Sequence, residues 1–187
     1  LYLYSNMKIP LQIKILLWYH SFFQKRSNLN PLIKISSKGK GVKNILYFLP
    51  SERKAAQVIS HFIKRNRKNG FPRFKYVIQE KGLFYYNEIP NDQIITYTDN
   101  DINWFGVIKP KSIIEKISSE SFDALIDLNQ SYDYHLCTLN LKLKIPIKVG
   151  FHSPISHQLY SIVIEPDKNG FVETNYYVIY LNPFSNY

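Results

Sequence analysis

The chain has 187 residues, of which 45% are hydrophobic and 20% are charged, and its formal net charge is +10. This length and hydrophobic content predict one domain with a sizeable core, and they exclude an intrinsically disordered protein. The single cysteine, Cys137, excludes an internal disulfide and a zinc site built from paired cysteines. We expect it to lie buried on a helix, in a reducing compartment.

The positive charge is concentrated in the first half of the chain. Residues 1–90 hold 17 Lys and Arg against 3 Asp and Glu, whereas residues 91–187 hold 7 against 11. A basic half predicts an anionic partner, such as phospholipid headgroups, nucleic acid or a phosphorylated sugar. A lysine-rich surface without a specific partner explains the same distribution equally well.

Residues 8–26 predict an amphipathic helix with aromatic side chains and basic flanks. Such a helix can lie in a membrane interface. Its apolar face is broad, which favours packing against the domain instead. No run reaches the roughly 20 apolar residues that a bilayer span needs, and no secretory signal is visible. We expect a cytoplasmic protein, with peripheral contact to the inner face of the membrane through this helix as the open alternative.

The sequence therefore predicts a basic amphipathic helix and connector over residues 1–42 and a Rossmann-like domain over residues 43–187. Within that domain, short apolar strands alternate with helices. The strands are predicted at residues 44–49, 74–79, 94–96, 124–128, 147–151 and 159–164. Helices are predicted after Ser51, over 110–119 and over the segment that ends at 143, while 171–181 fits either a strand or a short helix. This alternation predicts a three-layer α/β/α sandwich with a mainly parallel, Rossmann-like sheet.

The segment 121–151 is predicted to be the centre of this fold. An apolar strand is followed by Ser131, a candidate helix N-cap, and by Asp133, a negative charge in the first turn. Pro146 ends the leucine-rich helix, and the next strand begins directly after it. One such βαβ unit predicts parallel pairing of its two strands.

In an open α/β sheet, ligands bind beyond the carboxyl ends of the strands. The polar residues predicted at this edge are Ser51, Glu52, Arg53, Asp127, Asn129, Gln130, His135 and His152. Asp127 with a nearby histidine could polarise a sugar hydroxyl. In the alternative interpretation, Asp127 and Asn129 cap the following turn and the histidines are ordinary surface residues.

A second candidate site is a basic cluster with interleaved aromatic residues. It consists of Lys64, Arg65, Arg67, Lys68, Arg73 and Lys75. Such a cluster could bind phosphates. Helix ends attract Lys and Arg in any case, so the pattern does not favour nucleic acid.

The sequence predicts neither a metal site nor a cofactor. The spacing of His135, His152 and His157 matches no ligand motif, and the run 99–101 is typical of a solvated acidic turn. The glycines at 39 and 41 lack the strand and the Gly-Lys-Ser/Thr ending of a phosphate-binding loop.

Five segments together resemble the heptosyltransferase family, glycosyltransferase family nine. They are residues 43–51, which match the opening strand and turn of that family, followed by 72–78, 92–97, 122–129 and 148–151. The segment 122–129 is similar to the family's "Tyr-Asp-x-x-Ile-Asp-Leu" strand, and 148–151 to its "Arg-x-Gly-Phe" strand. The resemblance covers residues 43–152, the acceptor-side half of a two-domain GT-B enzyme. It implies a domain that recognises a sugar-phosphate or lipid-linked acceptor.

Two departures limit what the resemblance implies. The family's first turn carries a Gly-Asp pair whose Asp is the expected base, whereas this chain has Ser51-Glu52-Arg53-Lys54. The half that would bind the nucleotide sugar is missing. We therefore expect Glu52 and Asp127 as candidate catalytic residues in a domain that needs a second domain for activity. The alternative is a non-enzymatic Rossmann-like module that binds an anionic surface, nucleic acid or a protein.

Overall fold

The computed structural model describes residues 11–23, 42–66, 73–109, 113–131 and 133–165. The strands in these segments are β1 (Asn44–Phe48), β2 (Arg73–Gln79), β3 (Ile94–Tyr97), β4 (Ala124–Asp127), β5 (Ile147–Phe151) and β6 (Ile162–Ile164). The helices are α1 (Leu11–Phe23), α2 (Arg53–Asn66), α3 (Glu115–Ser118), α4 (Tyr134–Lys142) and α5 (Ser156–Leu159). Short 3₁₀ helices cover Glu80–Tyr86, Asn91–Gln93 and Asp99–Asp101.

The described strands form one sheet in the order β3-β2-β1-β4-β5-β6, and every pairing is parallel. The predicted α/β/α sandwich with a Rossmann-like sheet is confirmed. The chain runs outward from β1 to β3, returns to place β4 beside β1, and then runs outward in the opposite direction. The boundary between β1 and β4 is therefore the topological switch point, where ligands bind in open α/β sheets.

Apolar side chains cover both faces of the central strands. In β1, Ile45 and Tyr47 join a core that α2 and the 3₁₀ helix Glu80–Tyr86 cover. Leu46 and Phe48 join the opposite core, which α3 and α4 cover. Because β1 and β4 are covered on both faces, they need continuous apolar runs, which is the pattern that identified them in the sequence.

Helix α1 packs on the outside of α4 and α5. Ile13 and Leu17 lie in a cluster with Cys137 and Leu159, so one face of the helix packs against the domain. Cys137 lies on α4 and is buried, which confirms the expectation from the sequence. Leu11, Ile15, Trp18 and Tyr19 on α1 are between 55% and 71% exposed. None of the described helices is both long enough and apolar enough to cross a bilayer.

Two local predictions are wrong. The N-cap of α4 is Asp133 and not Ser131, because Asp133 Oδ1 accepts hydrogen bonds from the backbone N–H of His135 at 2.9 Å and of Leu136 at 3.1 Å. The strand expected over 159–164 starts late, since α5 occupies Ser156–Leu159 and leaves β6 only three residues. The helix expected over 110–119 is present where the chain is described, since residues 113 and 114 are π-helical and lead into α3.

Other predictions lie outside the described residues. These are the strand or helix over 171–181 and most of the connector before residue 42.

Candidate functional site at the switch point

A cleft of about 280 Å³ lies at the switch point, beyond the carboxyl ends of the central strands. Its lining comes from the segments that follow β1, β2 and β4 and from the first turn of α4. The lining residues are Ser51, Glu52, Gln79, Lys81, Asn129, Ser131, Asp133, Tyr134 and His135. This volume is at the small end of ligand pockets, so it suits one small ring rather than an extended cofactor.

The imidazole of His135 is held in one tautomer. Its Nδ1 lies 2.7 Å from the carbonyl oxygen of Gly106. Because a carbonyl oxygen only accepts hydrogen bonds, Nδ1 must carry the proton. In the neutral ring, Nε2 is then the unprotonated nitrogen, which can accept a proton from a hydroxyl group.

A tight turn between residues 103 and 107 supports this histidine. The backbone N–H of Asn103 donates to Val107 O at 2.9 Å, and Val107 N–H donates to Asn103 Oδ1 at 2.9 Å. Gly106 has φ = +77°, and a Cβ at this position would overlap the ring of Tyr134. The Tyr134 hydroxyl donates to Phe105 O at 2.5 Å. The turn and the first residues of α4 therefore form one hydrogen-bonded unit that requires glycine at 106.

Asp127 is buried at the end of β4, where it is 3% exposed. Its Oδ1 accepts from the backbone N–H of Asn129 at 3.0 Å and from Asn129 Nδ2 at 2.8 Å, and its Oδ2 accepts from the Tyr160 hydroxyl at 2.7 Å. Burial raises the pKa of Asp127 from 3.8 to about 6, although these hydrogen bonds oppose the rise and Asp133 adds to it. Asp127 is not among the lining residues, so it acts on the cleft by orienting Asn129.

The cleft has an excess of negative charge. Glu52 and Asp133 line it, and Lys81 is the one Lys or Arg among its described lining residues. Buried Tyr97 lies close by at the end of β3. Its pKa is held well above the usual range, first by burial and then by Asp133, Asp127 and Asp99. The lining is thus suited to donors such as hydroxyl groups, and it disfavours a phosphate.

Gln79 contributes a further acceptor to the cleft. Its Nε2 donates to Asp99 Oδ1 at 2.9 Å, so its carbonyl oxygen is the atom that remains to accept a hydrogen bond. Within the described segments, no three His, Cys, Asp or Glu side chains are grouped in a way that could hold a metal ion.

Half of the residues predicted at this edge line the cleft, namely Ser51, Glu52, Asn129 and His135. Arg53, Gln130 and His152 follow the expected strands, but they are outside the lining. The sequence reasoning missed Gln79, Lys81 and Tyr134, and it considered Ser131 and Asp133 only for the start of a helix. Gln79 and Lys81 follow β2 at the same edge, so the rule that named Ser51 and Asn129 could also have named them.

The basic cluster is a separate feature. Arg73 begins β2, at the end of the sheet opposite to the cleft. Lys75 forms an ion pair with Glu120 at 3.0 Å and donates to Asp92 O at 2.6 Å. Asp92 precedes β3 and Glu120 precedes β4, so both partners lie at the amino ends of the strands, away from the cleft. The side chains of Lys64, Arg65, Arg67 and Lys68 are outside the described part. Anion binding by this cluster stays a prediction.

Residues 23–180 match the model of a family of unknown function, DUF6913. The chain belongs to this family. The matched segment includes every described strand and every residue of the cleft lining in this DUF6913 chain. Comparison with curated proteins and with solved structures found no significant match. The resemblance to heptosyltransferases therefore stays a prediction.

Proposed function

We propose that this chain is a glycosyltransferase-like domain that binds a sugar in the switch-point cleft. The observation that supports this most strongly is His135, whose tautomer leaves Nε2 as an acceptor in a cleft that Glu52 also lines. A sugar presents several hydroxyl donors on one small ring. Carboxylate, amide and imidazole acceptors are the groups that bind such donors.

The charge of the cleft defines which part of the ligand it holds. The lining has Glu52 and Asp133 against Lys81, so a neutral hydroxylated ring is accommodated better than a phosphate. A sugar-phosphate or lipid-linked acceptor would bind with its ring inside, and its phosphate would lie outside the cleft. The charged group would then reach solvent or a second protein surface, where its desolvation cost is small.

The proposed chemistry is glycosyl transfer to a hydroxyl of this ring. A base takes the hydroxyl proton, the oxygen bonds to the anomeric carbon of a donor sugar, and the bond from that carbon to its diphosphate breaks. His135 Nε2 is the first choice for this base and Glu52 is the second. The described residues of the cleft offer a base, but their one cation, Lys81, is outnumbered by Glu52 and Asp133 and does not make a site for a diphosphate, so transfer requires a second domain or chain.

Binding can be tested by NMR with the chain alone. Methyl glycosides of glucose, galactose and mannose and the corresponding hexose 6-phosphates are titrated while the imidazole signals of His135 are followed. We expect the neutral glycosides to shift these signals and the phosphates to bind no more tightly. His135→Ala should weaken binding about tenfold, as expected when a half-buried hydrogen-bond partner of the ligand is lost.

His157→Ala is the matched control, since His157 is exposed on α5 away from the cleft lining. It should bind as the unaltered chain does. The proposal fails if no glycoside shifts the His135 signals, or if His135→Ala and His157→Ala bind equally well.

A second proposal concerns a peripheral membrane contact through α1. Its outer face exposes Leu11, Ile15, Trp18 and Tyr19. Aromatic and aliphatic side chains on one helix face are typical of a helix that lies in a membrane interface. This contact would bring the domain to the surface where a lipid-linked acceptor is found.

A further inference from the structure

The turn beside the cleft displays an exposed pair of aromatic rings. Trp104 is 86% exposed and Phe105 is 54% exposed. Their ring centroids are 4.8 Å apart and the planes meet at 64°, an edge-to-face arrangement. Phe105 thus packs against the neighbouring indole, and much of the indole surface is left open to solvent.

This pair is mounted on a rigid support. Besides the bonds between Asn103 and Val107, Gly106 N–H donates to Asn103 O at 2.8 Å and Lys109 N–H donates to Asp101 O at 2.8 Å. An antiparallel bridge joins Ile102 to Ile108, and Ile108 is 1% exposed. The backbone that carries the two rings is therefore ordered before a ligand binds, which lowers the entropy cost of binding at this turn.

The same turn is bonded directly to the wall of the cleft. Phe105 O accepts from the Tyr134 hydroxyl, and Gly106 O accepts from His135 Nδ1. Both Tyr134 and His135 line the cleft. The backbone that carries the aromatic pair is consequently bonded to two residues of the cleft wall, so the pair lies beside the cleft.

We infer that Trp104 and Phe105 form a second subsite, which binds the next ring of an oligosaccharide whose terminal ring occupies the cleft. This inference rests on the proposed function. A cleft of about 280 Å³ suits one ring, so we expect the next ring of an oligosaccharide to lie outside it, beside the turn that carries Trp104. A pyranose has hydroxyl groups at its edges and an apolar face of C–H groups, and that face stacks on an aromatic ring.

The cleft and the aromatic pair differ in chemistry in the way that two successive rings of an oligosaccharide require. The cleft supplies hydrogen-bonding groups that fix the orientation of the first ring, and the aromatic pair supplies a flat apolar surface for the second. The substrate class is therefore a disaccharide or longer glycan, rather than a free monosaccharide.

The two tryptophans of the chain, Trp18 and Trp104, allow a direct test. Indole N–H and His135 imidazole signals are followed together by NMR, and Trp18→Phe assigns the indole signals. The probes are methyl glycosides and disaccharides of glucose, galactose and mannose. We expect monosaccharides to shift the His135 signals alone and a disaccharide to shift both His135 and Trp104, while the Trp18 signal stays in place as an internal control.

Substitutions give the quantitative outcome. Trp104→Ala should lower disaccharide affinity roughly three- to tenfold and leave monosaccharide affinity unchanged, since one aromatic contact is lost. Trp104→Phe should recover part of the loss, and Trp18→Ala should change neither affinity.

The outcomes separate the two proposals. If disaccharides shift the His135 signals but bind the Trp104→Ala variant as tightly as the unaltered chain, the second subsite is overturned and the cleft proposal stays in place. Disaccharides that shift Trp104 without His135 overturn both the cleft proposal and the continuity of the two subsites. No shift at either residue also overturns both.

Discussion

Asp127 combines burial with three hydrogen bonds, and this combination has a consequence for pH. Its folded-state pKa of about 6 lies above the 3.8 of an exposed Asp, so the folded chain binds this proton more tightly than the unfolded chain does. The stabilisation that comes from this proton is therefore fully present below pH 3.8, the pKa in the unfolded chain. It is lost as the pH rises to and through about 6, the pKa in the folded chain.

Asp127→Asn removes this titration. The unaltered chain should therefore lose roughly 2 kcal/mol of stability relative to Asp127→Asn between about pH 4 and pH 7. Urea denaturation of both chains across this interval measures the difference, in which contributions from other titrating groups cancel. A difference that stays flat with pH contradicts the prediction. Tyr160→Phe is a companion variant, which should raise the pKa of Asp127 further because one hydrogen bond to the carboxylate is lost.

Gly106 is the second residue whose role is defined by its own geometry. Gly106→Ala introduces a side chain at φ = +77° and into the ring of Tyr134. The free energy of unfolding should fall by about 1–3 kcal/mol, and the imidazole signals of His135 should broaden as the hydrogen bond to Gly106 O weakens.

A double-mutant cycle with Tyr134→Ala isolates the steric part of this effect. With the Tyr134 ring removed, Gly106→Ala should cost only the strain of its backbone conformation, so the two effects are not additive. Strict additivity would mean that the ring and the glycine are independent.

At the scale of elements, α4 connects the core to the cleft. Its first turn carries the Asp133 cap and His135, and its last turn accepts a hydrogen bond at Asn140 O from Lys148 Nζ at 2.6 Å. A lysine at a helix C-terminus stabilises the last carbonyl groups. The cap is the part of α4 that positions the imidazole.

Asp133→Ala should destabilise the chain by about 1 kcal/mol, because two backbone N–H groups at the start of α4 lose their acceptor. Asp133→Ser is the matched control, since serine caps helices well and should recover most of the stability. Thermal or urea unfolding measures both, and glycoside affinity should fall with Asp133→Ala as His135 loses its position. Equal stability of the two variants would argue against a capping role.

Asn140 is an unusual residue in the last turn of the same helix. Its side chain is fully buried, and within the described residues neither Oδ1 nor Nδ2 has a hydrogen-bond partner. Asn140→Leu, a replacement of similar size, should therefore stabilise the chain by about 1–2 kcal/mol in urea unfolding. Asn140→Ala is the control that removes the amide but leaves a cavity, and it should be less stable than Asn140→Leu. A loss of stability in Asn140→Leu would show that the amide is satisfied.

At the scale of the whole molecule, the parallel sheet could be predicted because β1 and β4 carry apolar runs that only a doubly covered sheet accommodates. The rule that ligands bind beyond the carboxyl ends of parallel strands then placed Ser51, Glu52, Asn129 and His135 at the right edge. What failed depends on contacts distant in sequence. The Trp104 turn is held by bonds to α4 that span 29 residues, and no local periodicity reports such bonds. The Ser131 and Asp133 caps differ by only two positions, and both residue types are good caps.

The basic first half and α1 lead to a whole-molecule prediction about membranes. The chain should co-sediment with vesicles that contain anionic phospholipid, and less so at high salt. Replacing Leu11, Ile15 and Trp18 by serine should weaken this binding strongly, because those side chains are on the exposed face of α1. Phe84→Ser is the control, since Phe84 is 60% exposed on a different element. Equal binding of both variants would exclude α1 as the contact.

The two walls of the cleft come from opposite sides of the β1–β4 seam. Asn44 N–H donates to Asp123 Oδ2 at 2.9 Å across this seam, although the two residues are 79 positions apart in the chain. Pairing of parallel strands over such a separation is slow, because the entropy cost of closing a long loop comes before the stabilising contacts between the strands form. Glu52 and Asn129 can face each other only after that junction has formed. A sugar that contacts both residues would thus bind only the assembled sheet and stabilise it. We expect it to slow unfolding and proteolysis of the native chain without accelerating folding.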